Sequence, residues 1–192
     1  MMNYSFINYI KSIVEIPQEQ ESNFSSLITI KCIKKGEIIL SEGQQAKTIA
    51  YVKGGLFRYY YVDKKGSEFT KGFFIENSVL VSYDSILEKR GSYFTIQALE
   101  DSEIEMIDYF KLQKLFTEHP CWNKFLVVQL QKALAMKTER ERELLLFNAE
   151  QRYRKFLQQF PKLDTRVKQH IIASYLRITP ESLSRIRRKM EH

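Results

Sequence analysis

Hydrophobic spacing divides this chain into three regimes. Residues 3–15 place Phe6, Ile10 and Ile13/Val14 on one side at helical spacing, which predicts a short amphipathic helix. From Leu27 to Ile107 the period drops to two. The segments ITIKCIKK, EIILSEG, KTIAYVKGGLFRYYYVD, SEFTKGFFI, SYFTIQALE and EIEMID are short, β-branched and aromatic, and are interrupted by Gly36, Gly43, Gly54-Gly55, Gly66 and Gly91. That pattern predicts an antiparallel barrel or sandwich. Within it, Asp63-Lys64-Lys65-Gly66 reads as a hairpin turn with glycine at positive φ.

After Asp108 the helical period returns. YFKLQKLFTEHP predicts one short helix, and Pro120 opens a long one from about Cys121 to about Leu146. Its apolar stripe runs through Trp122, Phe125/Leu126, Val127, Leu130, Ala133/Leu134 and Met136/Lys137, fades into TERERE and resumes at Leu144. An N-terminal barrel covers one side of such a helix. The other side is expected to meet a second copy, through Trp122, Leu126, Leu130, Ala133 and Lys137. Asn148-Ala149-Glu150-Gln151 is a capping box. It marks a boundary and a hinge at Phe147/Asn148 and starts a helix, Ala149–Gln159, that Phe160-Pro161 stops.

The last segment, QHIIASYLRITPESLSRIRR from Gln169 to Arg188, has the spacing of a helix-turn-helix. Ile172, Leu176, Ile178, Leu183 and Ile186 form its core, and small Ala173 sits where two helices would cross. Thr179 is the N-cap of the second helix and Pro180 its first residue. That helix carries Glu181, Ser182, Ser184, Arg185 and Arg188, with Lys189 beyond, residue types that reach base edges and phosphates in a major groove. Charge agrees. From residue 151 onward there are 11 Lys/Arg against 3 Asp/Glu; before it, 19 against 20, so the whole positive excess surrounds this motif. Double-stranded DNA is the expected partner.

With 192 residues, 44% hydrophobic and 13% aromatic, the chain can bury a substantial core. No secretory leader and no stretch of the roughly 20 apolar residues that span a bilayer is visible, and the two widely separated cysteines, Cys32 and Cys121, suit free thiols in a reducing cytoplasm. No metal site is expected: His119, His170 and His192 are isolated, and no C-x-x-C occurs. Asp84, Glu88 and Glu100 read as surface acids rather than a catalytic pair, so no enzyme activity is expected.

The order of barrel, long helix and helix-turn-helix resembles the CRP/FNR family of bacterial regulators over nearly the full length. The residues that carry the resemblance are Gly54-Gly55-Leu56-Phe57-Arg58 with the DKKGSE turn, the pair of strands from Thr95 to Ile104, and the terminal ITPESLSRI. It implies an α+β fold: an N-terminal antiparallel β-roll (a double-stranded β-helix, or jelly roll) over residues 1–118, a dimerisation helix over 119–147, and an all-α helix-turn-helix domain over 148–192. That last domain lacks an evident wing. The resemblance gives Glu181 and Arg185 to the bases and implies a homodimer and RNA polymerase as further partner. The chain departs from the family at several positions. Pro180 stands where an Arg contacts DNA, and Arg177 where the tight turn has Gly. In cyclic-nucleotide members Gly-Glu holds the ribose and Arg-Ser/Thr the phosphate. Here those positions are Val81-Ser82 and Ser92-Tyr93, with Arg90 two residues out of register. The resemblance therefore implies no cyclic AMP in the usual mode and no cofactor. An effector pocket, if one is used, draws on Val81, Ser82, Tyr83, Arg90, Ser92 and Tyr93. A second reading is a ligand-binding module with a degenerate helix-turn-helix that signals through a protein partner.

Overall fold

The structure is a computed structural model that describes residues 5–191; His192 and the first four residues lie outside the described residues. Among the described residues, helices α1 (Phe6–Lys11) and α2 (Gln18–Ser26) precede eight strands: β1 (Thr29–Ile33), β2 (Ile38–Leu40), β3 (Thr48–Gly54), β4 (Phe57–Val62), β5 (Glu68–Phe74), β6 (Val79–Leu80), β7 (Thr95–Ala98) and β8 (Ser102–Asp108). A short helix, α3 (Tyr83–Glu88), lies between β6 and β7. The strands form two antiparallel sheets, ordered β1-β8-β3-β6 and β2-β7-β4-β5. Then come α4 (Tyr109–Glu118), α5 (Pro120–Leu146), α6 (Ala149–Gln159), α7 (Leu163–Arg166), α8 (Gln169–Leu176) and α9 (Pro180–Glu191). The expected α+β class, with an antiparallel roll ahead of the helices, is what the chain adopts.

The chain divides into two compact units, one of residues up to 61 with 73–131, the other of residues 62–72 with 132 onward. In the first, Tyr51, Leu56, Phe57, Ile104 and Ile107 fill the roll and are all but inaccessible. Gly55 separates β3 from β4: its φ is +107°, and a Cβ there would lie 2.0 Å from the Ser102 hydroxyl oxygen. The two elements read as one long strand are split by that glycine.

Helix α2 was not legible as a helix, because only Gln20 and Phe24 of its nine residues are buried. It has a specific task. Phe24 stacks on Trp122 at 5.2 Å and meets the edge of Phe6 at 5.3 Å, and Phe6 stacks on Tyr51 at 5.2 Å. The Trp122 indole N–H donates to Gln20 Oε1 at 2.7 Å. This corrects the assignment of Trp122 to a dimer interface: it is fully buried in its own unit and its one donor is used there. The N–H of Phe6 donates to the buried Glu105 carboxylate at 2.7 Å, so α1 is tied to β8 by charge as well as by packing.

The second unit has its own aromatic core. Phe156 lies 6.2 Å from Tyr153 and 5.9 Å from Tyr175, and Phe160 lies 6.4 Å from Tyr175. Leu163, Ile172, Ala173, Leu176 and Leu183 close it. The capping box at Asn148 forms in both directions. Between α6 and α8 the chain makes a turn and the single turn of α7, with no strand.

At the expected hinge, guanidinium groups collect backbone carbonyls. Arg152 donates from Nε to Leu176 O at 3.0 Å and from Nη1 to Phe147 O. Arg140 donates to Tyr175 O, lies 3.9 Å above the Tyr175 ring, and pairs with the buried Glu143 at 3.0 Å. The last carbonyls of a helix have no partner within it. Here two arginines supply those partners at the end of α8 and one of them also reaches the end of α5.

Two stability outcomes follow. Trp122→Ala opens a cavity and orphans Gln20, and is expected to cost about 3–5 kcal/mol in urea unfolding. Arg152→Met keeps the aliphatic stem but loses two charge-assisted bonds, an expected loss of about 2–3 kcal/mol, of which Lys at the same position recovers less than half because it lacks the fork.

Candidate nucleic-acid interface and effector cavity

Helix α9 starts where local chemistry dictates. The Thr179 hydroxyl accepts from Ser182 N–H at 3.2 Å, and Pro180 occupies the first helical position, where no N–H is needed. The turn before it forces Arg177 into the left-handed region, at φ 56° and ψ 46°. A non-glycine residue bears about 1 kcal/mol there, and the neighbours offset it: Ile178 N–H donates to Ala173 O at 3.1 Å, and the Arg177 guanidinium lies 5.3 Å from the Phe69 ring.

That ring belongs to the tip of the β4–β5 hairpin, residues 62–72, which is part of the second unit. Its turn forms as expected, with Gly66 at φ +81° and its N–H bonded to Asp63 O at 3.0 Å. Ser174 in α8 bonds the hairpin twice. Its hydroxyl donates to Glu68 O at 2.9 Å and accepts from Thr70 N–H at 2.9 Å. Sequence reading missed Ser174, since nothing local marks a hydroxyl in α8 as the partner of a strand 104 residues earlier.

Pro180, Glu181, Ser184, Arg185 and Arg188 line one shallow concave face, together with Gln169 from the start of α8. Gln169 was not among the expected contacts. Its position on this face depends on the crossing of two helices, which spacing alone does not fix. Glu181, Arg185 and Arg188 are exposed, and Ser182 and Ser184 are half-buried at the edge of the core. The Glu181 carboxylate is held below its ordinary pKa, first by its own backbone N–H and then by the Thr179 hydroxyl. Arg185 is steadied by the Ser182 hydroxyl at 3.3 Å. Lys189 is exposed and reaches Glu150 at 2.9 Å, a carboxylate also bonded by Arg154. An ionised acceptor and a guanidinium four residues apart, both in water at a helix start, suit bidentate recognition of base edges.

In the roll, the expected effector residues separate. Val81 and Ser82 line a cavity of about 420 Å³, with Leu40, Ala46, Lys47, Ile96 and Met106 among its other walls. Tyr83, Arg90, Ser92 and Tyr93 do not line it, which corrects the expected pocket. Tyr83 meets Tyr109 edge-on at 5.9 Å. Arg90 lies 3.5 Å over the exposed Tyr93 ring and pairs with Asp84 at 3.2 Å and with Glu88. Ser92 is buried and its hydroxyl lies 2.9 Å from that of Ser82. Beside them Tyr59 is sandwiched between Phe74 at 4.0 Å and Phe94 at 4.7 Å. Its hydroxyl accepts from Val81 N–H at 2.7 Å, and burial pushes its pKa up. A buried cyclic phosphate needs a guanidinium and its ribose a carboxylate. The two positions that would supply them hold serines bonded to each other, next to a stack of three rings. These residues do not fit a cyclic nucleotide.

Helix α5 leaves a face uncovered. Val127, Leu130 and Leu134 are 51%, 45% and 65% exposed, and Ala133 and Lys137 are exposed beside them, whereas Leu126 is half-buried.

Among the described residues no group of histidine, cysteine, aspartate and glutamate is arranged to hold a metal, and no helix is long and apolar enough to cross a membrane. Residues 30–119 match the family of cyclic nucleotide-binding domains. No curated protein matches the sequence. Solved structures do. FixK2 from Bradyrhizobium japonicum is 18% identical with a TM-score of 0.76, covering 85% of this chain and 84% of its own. CLP from Xanthomonas campestris, a c-di-GMP responsive global regulator, is 18% identical with a TM-score of 0.74, covering 91% and 92%. A CooA variant from Carboxydothermus hydrogenoformans is 18% identical with a TM-score of 0.71, covering 97% and 84%. Residues 30–119 thus match the cyclic nucleotide-binding domain family, and the chain as a whole shares the fold of CRP/FNR regulators.

Proposed function

We propose that this protein is a dimeric, sequence-specific DNA-binding transcription regulator of the CRP/FNR type that acts in the cytoplasm. The observation that carries the reading is the concave face of α8 and α9. Glu181, Ser184, Arg185 and Arg188 stand together there at a capped helix start, inside a segment that holds the chain's entire positive excess. Glu181 accepts from a cytosine amino group, Arg185 bonds a guanine, and Arg188 and Lys189 meet phosphates. Two such helices about 34 Å apart read successive major grooves, which requires a pair of chains joined along the uncovered face of α5. The roll is a sensor for a small amphipathic effector in the cavity beside Val81 and Ser82, whose wall carries Gln44, Gln45, Lys47 and Thr48 among apolar residues, and not for cyclic AMP in the usual mode.

Fluorescence anisotropy with duplex DNA tests the first part. Affinity is expected to fall linearly with salt on a log–log plot, with a slope of about −0.9 per phosphate contacted. Arg185→Ala is expected to cost about 1–3 kcal/mol on the preferred duplex and to relax base preference, whereas Arg188→Ala weakens all duplexes alike. No affinity for any duplex at low salt would instead make the protein a ligand-binding module that signals through a protein partner. For the sensor, 1 mM cyclic AMP is expected to leave the melting temperature within about 1 °C of its value without ligand; a larger rise refutes this exclusion.

A further inference from the structure

The uncovered face of α5 continues past Leu134 into a charged run. Leu134, Lys137, Glu141 and Leu144 recur at spacings of three, four and three, the a and d positions of a heptad. Leu134 is 65% and Leu144 39% exposed. A lysine and a glutamate thus replace the apolar residues of two successive layers.

The other charges of this run are occupied within the chain. Glu139 accepts from Arg142 at 3.1 Å and from Lys155 at 3.3 Å. Arg140 holds Glu143 at 3.0 Å. Lys137 and Glu141 are exposed, and among the described residues neither makes an ion pair. They are four residues apart, of opposite sign, and flanked by exposed leucines on the same face.

Such a face is complementary to itself. When two copies pack with parallel helices about a twofold axis, Lys137 at a d position stands one layer from Glu141 of the partner subunit at an a position, and symmetry repeats the pair. A shift by one heptad would set both charges against leucine, where an unpaired charge is costly. We propose that the occupant of this face is a second copy of the chain, held in one parallel register by two reciprocal Lys137–Glu141 ion pairs. This rests on the dimer reading above and adds what sets its register.

Sedimentation equilibrium of the full chain at low salt tests it, with circular dichroism to confirm that each variant keeps its helix content. K137E and E141K are each expected to weaken the dimer about 30-fold or more, and the double exchange K137E/E141K to return it to within about threefold of wild type. K137L/E141L is expected to dimerise more tightly than wild type and without salt dependence. L134C, in a C32S background, is expected to cross-link across the axis on oxidation. If wild type is dimeric but the single exchanges change affinity less than about threefold, or the double exchange is as weak as the singles, the ionic layer is refuted and the dimer stands. Failure of L134C to cross-link refutes the parallel register. A wild type that stays monomeric at high protein concentration refutes the dimer and the layer together.

Discussion

The end of α8 presents a problem that the rest of the second unit is arranged to solve. A left-handed residue at Arg177 turns the chain sharply and strands the carbonyls of Tyr175 and Leu176 at the helix terminus. Buried carbonyls need donors. Arg140 and Arg152 provide them, and each guanidinium is fixed by another contact: Arg140 by Glu143 and the Tyr175 ring, Arg152 by Phe147 O. The direction in which α9 leaves the turn, and hence where Glu181 and Arg185 point, is set by these bonds. A rigid fork suits this because two carbonyls at fixed separation match two N–H groups in one plane. The junction after Phe147, which reads as a hinge, is therefore a braced corner.

Much of this unit was legible in the sequence because its signals are local. The capping box at Asn148 and Gln151, the Thr179-Pro180 helix start and the aromatic stop at Phe160 each act within one turn of chain. The same holds for the hairpin at Asp63–Gly66. What stayed hidden depends on distant partners. Helix α2 has almost no apolar period, and its role is to bring Phe24 and Gln20 to Trp122. A stripe on a long helix shows that something covers it, not what, so Trp122 and Leu130 looked alike. One is inaccessible and the other is 45% exposed. Which carbonyl an arginine reaches follows from the path of the whole chain, and no spacing reveals it.

The roll keeps the architecture of the cyclic nucleotide-binding fold it matches and differs in its interior. Serine at both diagnostic positions removes the charges that would hold a cyclic phosphate and a ribose. The Phe74–Tyr59–Phe94 stack then fills space with apolar area and leaves one hydroxyl, which is satisfied by Val81. The remaining cavity lies among Leu40, Ala46, Ile96 and Met106, with Lys47 as a cation on its wall. The displaced cavity came from packing alone.

The hairpin that bonds Ser174 makes the second unit discontinuous in sequence. Residues 62–72 complete a unit whose remaining residues lie far downstream, with bonded partners 104 and 106 residues apart. On the ribosome the hairpin emerges long before α8 exists, so this unit closes only once the residues about a hundred positions downstream have been made. The same geometry limits its modularity. Grafting the last sixty or so residues onto a foreign protein would transplant the helices without the strand edge and ring that α8 and its turn lean on. Recombination that moves this unit from one protein to another would have to carry two separate stretches of gene.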